Sequence, residues 1–96
     1  MNKQVFIGQY DNFYHDKYGY CYYSIIPNKK PLIYNLYTEP EFRQKGHARK
    51  MLQFVIDEIR KTGYQDGIEI ECLPREDSID FEKLNLFYKN MGLEVI

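Results

Sequence analysis

Arg43-Gln44-Lys45-Gly46-His47-Ala48 stands between an extended run, Leu32–Thr38, and a helical stripe of apolar residues, and how it is read decides the fold. A strand that turns sharply into a helix leaves several backbone N–H groups aimed at one spot, because the first helical turn holds no internal acceptors for them. The helix dipole adds partial positive charge there, so a phosphate or pyrophosphate is the natural occupant. Gly46 lets the main chain approach an anion with no Cβ in the way, and Ala48 keeps the next turn small. Ala48, Met51, Leu52, Val55, Ile56 and Ile59 then recur at helical period, and Gly63 supplies a C-terminal stop after Lys61-Thr62. Burial of each large side chain of that stripe is worth roughly 1.5–3 kcal/mol, so packing rather than ligand alone holds the loop.

The remainder of the chain alternates between strand and turn signals. Lys3–Gln9 reads as a short strand, with Asp11-Asn12 and His15-Asp16 as its turn region. Tyr18–Ile26 reads as a second strand with Tyr18, Tyr20, Tyr22, Ser24 and Ile26 on one face and Gly19, Cys21, Tyr23 and Ile25 on the other. Pro27–Pro31 is a turn by composition, and Leu32–Thr38 completes a three-stranded antiparallel meander. After the long helix, Gly67–Leu73 alternates Ile68, Ile70 and Cys72 with Glu69, Glu71 and Leu73, and returns parallel to the third strand as a βαβ unit. Pro74–Ile79 is a loop, Ser78 or Asp80 caps a last helix, and Phe81, Leu84, Phe87, Tyr88 and Met91 mark its buried side up to Gly92.

Composition narrows the class. The 96 residues make one domain spanning 1–96, near the small end of what holds a core unaided. With 44% apolar and 28% charged residues, the chain reads as a soluble globular protein. A net charge of −1 argues against general nucleic-acid binding, no apolar run reaches membrane-spanning length, and the polar Met1–Phe6 start does not read as a signal peptide. Cys21 and Cys72 lack metal-type spacing and form no disulfide framework, so a reduced, cytoplasmic setting without a metal is expected.

Leu36-Tyr37-Thr38-Glu39-Pro40-Glu41-Phe42-Arg43-Gln44-Lys45-Gly46-His47-Ala48 resembles the signature of the GNAT superfamily of N-acetyltransferases, whose Arg/Gln-x-x-Gly-x-Gly/Ala loop takes the pyrophosphate of acetyl-CoA. Leu84-Asn85-Leu86-Phe87-Tyr88-Lys89-Asn90-Met91-Gly92-Leu93 is similar to the family's Tyr-x-x-x-Gly-Phe element. The two matches fall in the family's order, and with the strand between them they cover about two-thirds of the chain. The resemblance implies an α/β (α+β) acyl-CoA N-acyltransferase fold, a mostly antiparallel mixed sheet with two main helices. Compared with the usual member, the sequence leaves no room for helices after the first strand and stops at Ile96 before a C-terminal hairpin, so a compact form is expected. Pro74–Ile79, with Leu84 and Phe87-Tyr88, looks especially like short phage-encoded acetyltransferases, among them an anti-CRISPR enzyme that modifies a lysine.

The resemblance also implies a site. Strands Leu32–Thr38 and Ile68–Leu73 splay apart, and backbone groups of Leu36, Tyr37 and Thr38 pair with pantetheine as if with a further strand. N–H groups from Gln44, Lys45, Gly46, His47, Ala48 and Arg49 hold the pyrophosphate, and Arg43, Lys45 or Arg49 reach phosphate oxygens with charge-assisted bonds. Attack of a neutral amine on a thioester needs a proton removed from the amine and one returned to the thiolate. Tyr88 sits where the family places its general acid, and a phenol of pKa about 10 is protonated at neutral pH. Its alternative role is a core tyrosine bonded to a backbone carbonyl. Glu71, with Glu69 beside it, is the candidate base, or else belongs to a solvated strand face. His15 and His47 titrate usefully but occupy a turn and the loop. Cys72 reads as core rather than as a nucleophile.

Two functions follow. One is an acetyl-CoA-dependent N-acetyltransferase acting on an amine, a protein lysine in preference to a small molecule because the acceptor side is open. The other is a non-catalytic CoA-binding or protein-interaction module that keeps the fold. Exposed edge strands leave a homodimer open.

Overall fold

The computed structural model describes residues 3–6 as backbone, and residues 10–72 and 80–96 in full. Its elements are β1 (Lys3–Phe6), β2 (Asp11–Asp16), β3 (Gly19–Ser24), β4 (Leu32–Thr38), α1 (His47–Lys61), β5 (Glu69–Ile70), α2 (Phe81–Asn90) and β6 (Glu94–Val95). All six strands form one sheet in sequence order. The first four pair antiparallel, and β5 and β6 are added parallel. This is the mixed, mostly antiparallel sheet with two helices that the sequence led us to expect.

Helices α1 and α2 lie on one side of the sheet. Tyr14, Cys21, Tyr23, Ile33 and Ile70 turn inward from the strands to meet Leu52, Val55 and Ile59 of α1 and Tyr88 of α2 in a single core. The Tyr14 ring lies 4.7 Å from that of Phe54, and the Arg49 guanidinium sits 5.7 Å from the Phe87 ring, bridging the two helices. Helix α1 runs over the expected stripe and ends where Thr62 and Gly63 return their N–H groups to Ile59 and Arg60. Among the described residues no helix is long and apolar enough to cross a membrane.

Two readings of the N-terminal region are corrected. Asp11–Asp16 is a strand, not a turn, so the meander has four strands rather than three. Its polar letters mislead because Asn12 is buried with its amide donated to the Tyr23 and Tyr10 carbonyls. The turn falls at Lys17-Tyr18, where the Asp16 carboxylate accepts from the N–H groups of Tyr18 (2.8 Å) and Gly19 (3.2 Å). The expected first strand is seen to Phe6, and its continuation to Gln9 lies outside the described residues.

Near the C-terminus Ile68, Ile70 and Cys72 are buried in alternation as expected, while Leu73, the Pro74–Ile79 loop and Ser78 lie outside the described residues. Asp80 caps α2, accepting from Glu82 and Lys83 N–H groups. Phe81 is 51% exposed, contrary to its expected place on the buried side. It stands in the first turn, whereas α2 packs through its later turns, where Leu93 N–H returns to the Tyr88 carbonyl and β6 follows. Strand β6 itself was not anticipated.

Gly19 fixes how closely β3 approaches β4. A Cβ there would collide with the Tyr37 carbonyl oxygen and come within 2.9 Å of Thr38 Cα. Gly19→Ala is expected to lower the unfolding free energy by about 1–3 kcal/mol, read from urea denaturation. Stability should also fall in alkali. Burial pushes the Cys21 thiol up to about 12, and burial together with the Asp16 and Asp11 carboxylates raises the Tyr14 and Tyr34 phenols. Groups whose folded pKa is raised bind more protons in the native state, so their contribution is whole below their unfolded values. It is lost from about pH 8.5 upward, which an alkaline titration of the urea midpoint checks.

Candidate functional site

The site begins where the described pairing of β4 and β5 ends. Strands β4 and β5 pair at Leu32–Glu69 and Ile33–Ile70, and Glu71 N–H adds a last bond to the Ile33 carbonyl at 3.0 Å. Beyond Ile33, β4 has no further β5 partner among the described residues. A bulge marks the point of departure: the β3–β4 register shifts between Tyr20 and Tyr22, and Asn35 takes a left-handed φ of 52°. An asparagine tolerates that conformation better than most residues. Past the bulge, β4 stays on β3 through Tyr20–Tyr37 and Gly19–Thr38.

The phase of that ladder assigns the backbone groups. Glu39 N–H donates to the Tyr18 carbonyl at 2.8 Å, so by antiparallel alternation the groups of Tyr37 turn toward β3. Those of Leu36 and Thr38 turn toward the gap. Thr38 gives its carbonyl to Arg43 Nε at 2.9 Å, and the Arg43 guanidinium lies 5.5 Å from the Tyr37 ring. Arg43 thus braces the loop against its own strand.

The loop then crosses to α1. Pro40–Phe42 forms a 3-10 turn, Gln44 sits at φ 60°, and Gly46, the N-cap, sits at φ 84°. No side chain caps Gly46 and no acidic residue occupies the first turn of α1. The first helical bond runs from Lys50 N–H to the Gly46 carbonyl. The N–H groups of Gln44, Lys45, Gly46, His47, Ala48 and Arg49 have no acceptor among the described residues. Helices usually carry acids at this end; here Arg49 and Lys50 stand there instead, an arrangement unfavourable to the helix alone and favourable to a bound anion. Where a Cβ would stand on Gly46 there is open space.

An aromatic stack holds this loop in place. The His47 ring lies face to face with Tyr18 at 3.6 Å, and Phe42 sets its edge against Tyr18 and His47. Tyr18 comes from the β2–β3 turn, so the stack fastens the start of α1 to the sheet. The sequence reading valued His47 for its N–H and missed its ring; an aromatic in the hairpin turn was the available signal.

The catalytic candidates occupy different environments. Tyr88 is 3% exposed, and burial, then the neighbouring Cys72 and Cys21, hold its phenol well above the ordinary value. Its hydroxyl has no hydrogen-bond partner among the described residues, so the expected alternative of a bond to a backbone carbonyl is not seen. Glu71 is half-buried on the side of β5 opposite Ile70 and Cys72, and its charge reaches the Tyr34 phenol. Cys72 is 2% exposed and its thiol is raised by burial. Asn85, one turn before Tyr88, has a sealed Oδ1 that no donor meets among the described residues. Leaving such an acceptor unpaired costs about 1–3 kcal/mol. The sequence reading gave Asn85 no role, because nothing in the letters shows that its oxygen is left over.

A family model for the acetyltransferase (GNAT) domain matches residues 2–95. Solved structures with the same fold include a tetramutant of the BH1408 protein from Bacillus halodurans, 19% identical, with TM-score 0.66, covering 92% of this chain and 62% of that one. A ribosomal-protein-alanine N-acetyltransferase from Brucella melitensis biovar Abortus is 13% identical, with TM-score 0.64, covering 88% and 66%. AAC(6')-Iy in complex with the bisubstrate analog CoA-S-monomethyl-acetylneamine is 14% identical, with TM-score 0.63, covering 91% and 64%. The chain therefore spans less than two-thirds of the length of each. No curated protein matches the sequence.

The loop yields a direct test by calorimetry with coenzyme A. Gly46→Ala, forced to a left-handed φ, should cost about 1–2 kcal/mol of stability. Gly46→Glu should in addition weaken coenzyme A binding tenfold or more, since one charge-assisted bond is worth about 1.5–3 kcal/mol.

Proposed function

The chain belongs to the GNAT acetyltransferase family, and from that premise we propose that it transfers an acetyl group from acetyl-CoA to an amine, with a protein lysine as acceptor. The observation that carries the reading is the uncapped start of α1, where the N–H groups from Gln44 to Arg49 meet no acceptor among the described residues. The residues present suit the cosubstrate. Free N–H groups from Gln44 to Arg49, with Lys45 and Arg49 alongside, would hold its pyrophosphate. The gap-facing backbone of Leu36 and Thr38 would pair with its pantetheine amides. Acetyl-CoA supplies an activated acyl group as a thioester.

This chain supplies the proton handling. Tyr88 keeps its proton throughout the neutral range, because burial raises its phenol, and donates it to the departing sulfur. Glu71, on the open side of β5, takes the proton of the incoming amine directly or through water. Domain 1–96 is the working unit in this reading, without a metal and in the cytoplasm. The likeness to phage-type enzymes rests partly on 74–79, outside the described residues.

The deep burial of Tyr88 favours a second reading, a non-catalytic CoA-binding module in which that residue is purely core. Thiol release from acetyl-CoA separates the two. As an enzyme, the protein releases thiol with an amine present, and Tyr88→Phe lowers kcat by about 10²–10⁴-fold while coenzyme A affinity stays. The rate should rise between about pH 7 and 9 as the amine loses its proton, with no fall from Tyr88. Absence of amine-dependent thiol release, with coenzyme A still bound, would leave the binding module.

A further inference from the structure

The side of the sheet away from α1 and α2 is covered by no described element, and its composition is unusual. Phe13 and His15 from β2, Tyr20 and Tyr22 from β3, and Tyr34 and Tyr37 from β4 lie there together. Their rings form two connected rows. Phe13 meets Tyr22 at 4.7 Å and Tyr22 stacks on Tyr34 at 5.6 Å. His15 stacks on Phe13 at 5.1 Å, and Tyr20 meets Tyr37 at 5.4 Å. The strand pairing places these residues on one face: Phe13–Tyr22, Tyr22–Tyr34, His15–Tyr20 and Tyr20–Tyr37 are register partners.

Carboxylates supply the charge of β2 to β5 on this face, while Lys3 of β1 stands in register with His15 at its far edge. Strands β2, β3, β4 and β5 contain no Lys or Arg. Asp11 accepts the Tyr34 hydroxyl at 2.9 Å. Glu69 and Glu71 continue beyond Tyr34 on the side opposite Ile70, and Glu71 acts electrostatically on Tyr34. Arg49, Lys50, Arg60 and Lys61 belong to α1, on the other side, Arg43 stands at the rim over Tyr37, and Lys30 is paired with Glu94 at the β5–β6 edge.

We propose that this aromatic and acidic sheet face is the docking surface for a lysine-rich segment of a partner protein, and that it leads one lysine to the gap between β4 and β5. Ammonium groups are drawn to tyrosine faces and to carboxylates, and both kinds of group are laid out here in one plane. The row Phe13–Tyr22–Tyr34 ends beside Glu71, at the mouth of the gap. A second copy of the chain is the poorer occupant, because two such faces would oppose like charges. The surface names the acceptor class of the proposed function and rests on that reading.

The test uses isotopically labelled protein and two short peptides, one alternating lysine with glycine, the other alternating glutamate with glycine. The lysine peptide should shift the amide resonances of Phe13, Tyr20, Tyr22 and Tyr34 and spare those of Gln53 and Asp57 on the outer face of α1. Added salt should weaken its binding, and the glutamate peptide should not bind. Phe13→Lys, far from the gap, should weaken the lysine peptide about tenfold while coenzyme A affinity and turnover of spermine are unchanged. Shifts that map elsewhere, equal binding of both peptides, or dimerisation through this face in sedimentation would overturn the proposal. Should Phe13→Lys fail to fold, the resonance map of the unaltered protein decides. If the peptide docks on this face but no amine is acetylated, the proposed function fails and the docking surface stands. If spermine is acetylated and the peptide does not bind, the docking surface alone fails.

Discussion

Among the described residues the β4–β5 ladder runs to the Ile33 carbonyl, and the bulge in β4 that follows it shapes most of what is distinctive here. A parallel pair that continued would bury the edge of β4 and leave nothing for a ligand to bind. The bulge at Asn35 lets β4 continue along β3 to Thr38, past its described pairing with β5. Backbone groups freed in this way are expensive only if they are buried without a partner. In the proposed function those of Leu36 and Thr38 would pair with an extended molecule.

The loop after β4 inherits its position from the same bend. It is fastened at three points: Arg43 on the Thr38 carbonyl, His47 on Tyr18, and Glu39 N–H on the Tyr18 carbonyl. Each tie joins the loop to β4 or to the β2–β3 turn, so the unbonded N–H groups at the start of α1 are presented by a braced frame. Preorganisation of this kind reduces the ordering cost of binding. It also explains why the close approach at Gly19 matters: the β3–β4 contact beneath the loop sets where Thr38, and therefore Arg43, can be.

How much of this was legible in the letters depended on whether the controlling interaction was local. The α1 stripe from Met51 to Ile59, the β4 run, the parallel return through Ile68 and Ile70 and the glycine stops are short-range patterns, and they were read correctly. Strand β2 was missed because Asp11, Asn12 and Asp16 favour turns by themselves, and only the distant Tyr23 carbonyl gives Asn12 a reason to be buried. Strand β6 is too short to carry a pattern and exists because β5 offers it an edge. The site divided in the same way. The turn of residues 44–46 into α1 was legible as local pattern, whereas the Asn35 bulge, the Tyr18–His47 stack and the unpaired oxygen of Asn85 depend on partners far away in sequence.

The two sulfurs of the core bear on the chemistry as well as on the packing. Cys21 and Cys72 lie sealed near the Tyr88 ring, with thiols raised by burial, Cys21 to about 12. A thiol must ionise before it can exchange with a thioester. Kept neutral and enclosed, neither cysteine is poised as a nucleophile. Under the proposed function, an acetyl group brought to this protein would meet neither thiol in a reactive state.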